Sequence, residues 1–167
     1  MADKSSFESF AAAAWERHLR LAILLTGDGL RGEELLQDCL VRLYEQWSRL
    51  RLENAHAYLR RTLTNRHVSA WRRLRRERLV AEIPDRAAGG PVHRAEVEPI
   101  WAALRALPPR QRAVVVLRHY EDLTERDIAA ILGCTVGTVK SHNARALERL
   151  RVALYQYQYE TEEVRNR

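Results

Sequence analysis

The sequence predicts an all-α protein made of two small helical domains joined by a flexible linker. No stretch of the 167 residues alternates apolar and polar side chains over the length of a strand. Apolar residues instead recur at steps of three and four, and glycine and proline mark the boundaries of these periodic segments. Residues 80–97 lack this periodicity and contain two prolines and two glycines, a composition typical of a linker. The predicted division is a first domain at 5–79, the linker at 80–97, a second domain at 98–154 and a tail at 155–167.

The first two helices are predicted from capping signals and apolar spacing. The first helix begins at Ser5, where Glu8 completes a capping box, and runs to Leu25 before Gly27 ends it. The second helix runs from about Gly32 to Leu50. Its predicted buried residues follow at steps of three and four: Leu36, Leu40, Leu43 and Trp47.

A third helix is predicted from Asn54, taken as its cap, to about Arg78, and it carries the positive charge of the chain. Residues 56–78 hold eight arginines and one glutamate, whereas the whole chain has a net charge of +6. The predicted buried face is formed by Leu59, Leu63, Ala70 and Leu74. Arginines interleaved with aromatic residues suit phosphate neutralisation and stacking on unpaired bases. The alternative is a solvated charged face with Trp71 in the core.

The second domain is predicted to contain two helices followed by a helix-turn-helix. Pro99 opens the first helix, which ends before Pro108, and the next runs from about Arg110 to Tyr120. Three positions predict the helix-turn-helix. Ala129 is a small residue, Gly133 follows four residues later and suits the tight turn, and Val139 is an apolar residue six positions further on. Thr124, with Asp127 as an imperfect capping-box partner, and Thr135 are predicted to cap its two helices.

The second helix of this motif has one apolar and one polar face. The predicted apolar face consists of Val139, Ala146, Leu147, Leu150 and Leu154. The predicted exposed face carries Lys140, Ser141, Asn143, Arg145 and Arg149. These side chains can contact phosphates and base edges, so the motif predicts duplex DNA binding. The alternative is an ordinary pair of core helices with a solvated polar face. The tail after Leu154 is expected either to extend this helix or to fray.

Composition excludes several classes of protein. Of the residues, 46% are hydrophobic and 30% charged, which is a globular balance, and the longest apolar runs, residues 21–25 and 113–117, are too short to span a bilayer. The start lacks the segments of a signal peptide, so a cytoplasmic location without membrane insertion is expected. The two cysteines, Cys39 and Cys134, and the six histidines show no metal-ligand spacing, and no cofactor motif occurs. No metal, cofactor or enzymatic activity is therefore expected.

The outer face of the second helix differs from the basic third helix. It is acidic at one end and mixed at the other, with Glu33, Glu34, Gln37, Asp38, Arg42, Glu45 and Arg49. Such a surface is a poor DNA-binding face, so it is interpreted as a binding site for a protein partner or, alternatively, as a solvated helix face.

The order of these parts resembles the extracytoplasmic function (ECF) sigma factors of the sigma-70 superfamily, which contain the second and fourth sigma regions. Residues 24–28 and 33–44 look like the polymerase-binding helix of region two, and residues 57–66 look like the segment that reads the minus-ten element. Residues 107–112 and 120–150 look like region four. The resemblance covers nearly the whole chain. The short connection at residues 51–56 departs from many members of the family.

This resemblance implies roles for three groups of residues. The polymerase-binding group, which would face the clamp helices of the largest subunit, is Gln37, Asp38, Arg42 and Glu45. The minus-ten group, in which Asn65 would help to hold a flipped base, is Tyr58, Arg61, Asn65, Arg66, Ser69, Trp71 and Arg72. The minus-thirty-five group is Thr138, Lys140, Ser141, Asn143, Arg145 and Arg149. The implied partners are core RNA polymerase, including the flap of its second-largest subunit, promoter DNA and an anti-sigma factor.

Two rival hypotheses remain open from the sequence. A stand-alone helix-turn-helix regulator would bind paired half-sites as a symmetric dimer without polymerase. An interaction protein such as an anti-regulator adaptor would leave the basic helix merely solvated.

Overall fold

The computed structural model describes residues 4–81 and 99–165, and these residues form helices joined by short turns, with no strand among them. The chain divides into two compact units, unit 1 at residues 1–87 and unit 2 at residues 88–167. The predicted all-α fold is confirmed. Most of the predicted linker lies outside the described residues, but its first two residues, 80 and 81, belong to a helix.

Within unit 1, residues 4–81 form three helices, α1 (Lys4–Thr26), α2 (Gly29–Gln46) and α3 (Leu52–Ala81), with a 3₁₀ turn at Trp47–Arg49. Gly27 adopts a φ of 74° after α1, as the predicted helix end requires. The Asp28 carboxylate then caps α2 by accepting a hydrogen bond from the Arg31 N–H at 2.9 Å. This cap starts α2 three residues earlier than the sequence predicts.

Two predicted caps are wrong. Ser5 lies inside α1, which already includes Lys4, and Lys4 forms a 3.7 Å ion pair with Glu8. Asn54 lies inside α3, where its N–H donates to the carbonyl of Arg51 at 2.9 Å. In both cases the helix begins one turn or less before the polar residue that the sequence predicts as its cap.

The core of unit 1 lies between the three helices. Its apolar residues are Phe10, Ala14, Leu21, Ala22, Leu25, Leu36, Cys39, Leu43, Trp47, Ala55, Leu59, Leu63 and Val68. Leu40 is half-buried, and Ala70 is exposed rather than buried as predicted. Among the described side chains of α3 the buried ones end at Val68, so the predicted apolar face is covered only along the first part of the helix. Leu74 lies outside the described side chains.

Helices α1 and α2 approach each other most closely at Gly32. A Cβ atom on Gly32 would lie 2.9 Å from the Cα and 2.7 Å from the Cγ1 of Ile23. Near the other end of the pair, Trp47 packs against Phe10, with ring centroids 5.0 Å apart, and its Nε1–H donates to the Ser6 hydroxyl at 3.0 Å. The two contacts fix α2 along the length of α1.

The described residues of unit 2 form four helices, α4 (Pro99–Ala106), α5 (Pro109–Val115), α6 (Glu125–Leu132) and α7 (Val136–Arg165). Helix α5 continues into a π-helical turn at Val116–Tyr120. Two apolar clusters hold the unit together. One comprises Ala103, Leu107, Val115, Ala146 and Leu150. The other comprises Val114, Leu117, Ile128, Ala129 and Val139.

The last helix departs from the predicted pattern at two positions and continues beyond it. Leu147 is 42% exposed rather than buried, and Leu154 is half-buried. The tail extends α7 to Arg165, so the first of the two alternatives for this segment is the one observed. None of the described helices is long and apolar enough to cross a membrane.

Candidate nucleic-acid interface

The turn between α6 and α7 has the conformation that the sequence predicts for a helix-turn-helix. The Thr124 hydroxyl accepts a hydrogen bond from the Asp127 N–H at 3.2 Å and so caps α6. Gly133 ends α6 with a φ of 61°, and its N–H donates to the carbonyl of Ala129. The Thr135 hydroxyl accepts from the Thr138 N–H at 3.1 Å at the start of α7. Both predicted caps and the predicted glycine turn are therefore confirmed.

The buried side of the motif determines which face of α7 is exposed. Val139 and Ala146 are fully covered, and Ala129 lies in the same cluster as Val139. The opposite side of α7 is open to solvent along its first four turns. We define the recognition face as the exposed residues there that the sequence assigns to DNA binding: Lys140, Ser141, Arg145 and Arg149.

The other two residues predicted for this face, Thr138 and Asn143, are half-buried and contact the rest of the motif. The Thr138 hydroxyl lies 2.9 Å from the Thr135 hydroxyl, within the cap. The Asn143 Oδ1 lies 3.3 Å from Nε2 of His119, which belongs to the π-helical turn after α5. The Asn143 contact thus joins α7 to the π-helical turn, whereas the Thr138 contact stays within the cap of α7. Sequence analysis missed His119 because the two partners are 24 residues apart.

Several cations of unit 2 lie close to carboxylates or carbonyls. The Lys140 Nζ is 3.7 Å from the Glu125 Oε2, and Arg151 pairs with Glu148 at 2.8 Å. Arg118 donates to the carbonyl of Leu123 at 3.1 Å, and its Nη1 is 3.8 Å from an Asp122 carboxylate oxygen. The positive charge of the motif is thereby partly compensated by its own carboxylates.

His142 lies beside the recognition face on α7 and is half-buried. Its pKa is lowered by burial and, to a smaller extent, by the positive charges of Arg110 and Arg145. His142 is therefore neutral at neutral pH, and the positive charge of the recognition face comes from Lys140, Arg145 and Arg149.

In unit 1, part of the predicted minus-ten group shares one face of α3. Tyr58, Arg61, Asn65 and Ser69 are spaced by three, four and four residues, which places them on one side of a helix. Tyr58 and Asn65 are half-buried, whereas Arg61 and Ser69 are exposed. Trp71 and Arg72 belong to α3 but lie outside the described side chains.

Arg66 connects the predicted minus-ten group to the predicted polymerase-binding group. Its guanidinium forms an ion pair with Asp38 on α2, and the Arg42 Nε lies 4.0 Å from the other oxygen of the same carboxylate. Gln37, Arg42 and Glu45 are exposed, whereas Asp38 is half-buried beside Arg66. The structure thus brings together two residues that the sequence assigns to different surfaces.

The two cysteines are free and differ in burial. Within the described ranges, no three His, Cys, Asp or Glu residues are grouped closely enough to hold a metal ion. Cys39 is buried, and burial raises the pKa of its thiol to about 12, so it remains protonated. Cys134 is half-buried in the turn before α7.

Comparison with known protein families gives matches to both units. Residues 14–77 match the model of Sigma-70 region 2, and residues 98–150 match the model of Sigma-70, region 4. The two matched segments lie on either side of residues 78–97.

Similar proteins are found among curated sequences and solved structures. The chain is 38% identical over 151 residues to the RNA polymerase sigma-E factor of Streptomyces avermitilis, covering 89% of this chain and 84% of the relative. It is 32% identical to the ECF RNA polymerase sigma factor SigE of Mycolicibacterium smegmatis, covering 87% of this chain and 60% of the relative. A co-crystal structure of the sigma factor RpoE with the anti-sigma factor NepR from Bartonella quintana matches with a TM-score of 0.69 and 26% identity. That match covers 90% of this chain and 97% of the RpoE chain.

Proposed function

Because the chain belongs to the ECF sigma factors of the sigma-70 family, we propose that it is a promoter-specificity subunit of RNA polymerase. In this role it binds the core enzyme, recognises the minus-thirty-five and minus-ten elements and promotes DNA melting. The observation that carries the proposal is the capped helix-turn-helix with Lys140, Ser141 and Arg145 exposed on α7, in a chain whose two units match sigma regions 2 and 4 in order.

Unit 2 is assigned to the upstream duplex element. The exposed side of α7 enters the major groove, with Lys140 and Arg145 as donors to phosphates or base edges. Ser141 has a short side chain and lies between Lys140 and Arg145 around the helix, so it allows the backbone of α7 to approach the DNA closely. At the edge of this surface, Thr138 supports the cap of α7, and Asn143 joins α7 to the turn that contains His119.

Unit 1 is assigned to the opened minus-ten strand and to the core enzyme. Asn65 and Tyr58 present polar and aromatic groups to an unstacked base, and Arg61 and Ser69 lie on the same face to follow the backbone. Gln37, Asp38, Arg42 and Glu45 on α2 are assigned to the clamp helices of the largest polymerase subunit, and unit 2 to the flap of the second-largest. These assignments follow the family resemblance residue by residue.

The mechanism requires no bond chemistry from this chain. The chain binds unstacked bases more tightly than paired ones, which favours the melted state of the DNA. Because both units belong to one chain, their two weak contacts give tighter overall binding when both promoter elements are present. The protein is therefore proposed to be a binding subunit and not an enzyme, acting in the cytoplasm with the polymerase. An anti-sigma protein is proposed as a further partner, since the RpoE structure is a complex with one.

The test is transcription by purified core polymerase on fragmented genomic DNA, with and without the full chain. Initiation at discrete sites only when the chain is present is the expected result. A folded chain that supports no such initiation contradicts the proposal. A stable dimer that binds paired half-sites tightly without polymerase would instead identify a stand-alone regulator.

A further inference from the structure

One ion pair joins the two helices of the helix-turn-helix at the edge of the recognition face. The Glu125 Oε2, on the first residue of α6, lies 3.7 Å from the Lys140 Nζ on α7. The Lys140 side chain is 64% exposed and that of Glu125 is 36% exposed. An exposed pair of this kind is weak, so a DNA phosphate or base edge can displace the carboxylate from Lys140.

This pair differs from the other ion pairs between residues 99 and 165 for which both partners are described. Arg118 with Asp122 and Arg151 with Glu148 are pairs of neighbours within three or four residues of each other. Lys140, in contrast, is paired with a carboxylate of the other helix of the motif. Of the four residues of the recognition face, Arg145 and Arg149 have no carboxylate within ion-pair distance in the described part of unit 2.

The position of Glu125 gives the pair a consequence for DNA binding. In a helix-turn-helix the first helix crosses the DNA backbone while the second enters the groove. A carboxylate at the first residue of α6, beside Lys140, therefore lies on the side that meets phosphates. There it withholds Lys140 from phosphates until a better acceptor competes for the ammonium group.

We propose that Glu125 is a specificity-determining residue, which lowers the affinity of the recognition face for DNA of arbitrary sequence by pairing with Lys140. The proposal rests on the proposed function and names a feature of the same site. Specificity is the difference between affinities for correct and incorrect sites, so weakening the incorrect complexes increases it. Glu125 thus limits binding of the chain at sites that are not promoters.

The substitution Glu125→Gln tests this, since it keeps the size of the side chain and leaves the Thr124 cap in place. With Lys140 released, the full chain is expected to bind a random-sequence duplex roughly threefold to tenfold more tightly at low salt. The plot of log affinity against log salt concentration is expected to become steeper by about 0.9, the contribution of one added phosphate contact. Fluorescence anisotropy over a salt series, with the full chain and a labelled duplex, measures both quantities.

Two further variants make the result specific. Glu8→Gln removes the same charge from another exposed ion pair, that of Lys4 in unit 1, and is expected to leave the salt slope unchanged. In a Lys140→Gln background, Glu125→Gln is expected to add nothing to the slope. The inference is overturned by a Glu125→Gln chain of unchanged helicity that binds the duplex no more tightly than wild type. It is equally overturned by an equal gain in Glu8→Gln or by a slope increase that persists without Lys140.

The transcription assay separates this inference from the proposed function. Failure of the wild-type chain to direct initiation removes the proposed function, whatever Glu125→Gln does to duplex affinity. If the wild-type chain directs initiation, promoter and non-promoter DNA are mixed in one reaction. Glu125→Gln is then expected to lower the ratio of initiation at promoters to initiation on non-promoter DNA at least threefold. An unchanged ratio overturns the inference and leaves the proposed function intact.

Discussion

At the scale of single residues, a pair of histidines in unit 1 couples folding to protonation. His18 on α1 is 2% exposed, and its Nε2 lies 3.0 Å from Nδ1 of His56 on α3. Burial lowers the pKa of His18 to about 4, with smaller contributions from His56, Arg17 and Arg60. The pKa of His56 is also lowered, again mainly by burial. Both rings are therefore neutral in the folded chain at neutral pH.

The stability of unit 1 is expected to fall in weak acid. Because the pKa of His18 is 6.5 in the unfolded chain and about 4 in the folded one, the unfolded chain takes up the proton first as the pH falls. The stabilisation is fully present above the unfolded pKa and is lost as the pH falls toward the folded value, by up to about 3 kcal/mol. Urea unfolding followed by tryptophan fluorescence across this window measures the loss.

The control for this prediction is His18→Gln, which removes the titrating group and keeps a neutral polar side chain. Carboxylates titrate in both proteins, so the difference between the two pH profiles isolates the histidine. Parallel profiles for wild type and His18→Gln would show that His18 does not contribute.

At the scale of elements, helix boundaries follow from local sequence only where a side chain actually caps the helix. Thr124 and Thr135 do so, and α6 and α7 begin where they were predicted to begin. Ser5 and Asn54 do not, and α1 and α3 begin earlier. The packing between helices has further requirements, of which the crossing at Gly32 is the clearest, because Ile23 occupies the space of a side chain there.

Gly32→Ala is expected to destabilise unit 1 by about 1 to 3 kcal/mol, since the added methyl group overlaps the backbone of Ile23 and forces α1 and α2 apart. Gly29→Ala, at the start of the same helix, is the matched control because a Cβ there meets nothing within 4 Å. It is expected to be neutral or slightly stabilising. Hydrogen exchange of the α1 and α2 peptides in the full chain measures both, and equal effects of the two substitutions would contradict the crossing argument.

At the scale of the whole molecule, the two units are assigned to two different promoter elements. Each unit has its own buried core, and each matches a separate sigma region. Arg145 in unit 2 and Arg61 in unit 1 are exposed residues assigned to the minus-thirty-five and minus-ten elements. The loss of initiation caused by a substitution at either residue should therefore depend on which promoter element is present.

Arg145→Ala is expected to lower initiation on an intact promoter by about tenfold, and to have little effect once the minus-thirty-five element is replaced, because the contact is already lost. Arg61→Ala should lower initiation by a similar factor on both templates. Arg20→Ala, which removes an exposed arginine from α1, is the control. Initiation is measured for each variant on both templates, so that the effect of each substitution can be compared with and without the minus-thirty-five element. A loss for Arg145→Ala that is the same on both templates contradicts the assignment.

The sequence by itself determined the features that depend on neighbours along the chain. Apolar spacing predicted the helices, and the positive φ that a tight turn demands predicted Gly133 at the end of α6. Capping chemistry predicted Thr124 and Thr135, because a cap and its partner lie within three residues of each other. The exposed side of α7 followed from the same periodicity, apart from Asn143, Leu147 and Leu154.

Only the tertiary structure decided which distant side chains meet. Three pairs of side chains join different helices: Asp38 with Arg66, Glu125 with Lys140, and His18 with His56. Such pairs depend on the crossing positions and rotations of packed helices, which are set by side-chain shape across the whole core rather than by local spacing. The sequence therefore predicted candidate residues for the interface, whereas the contacts that restrain them followed only from the folded structure.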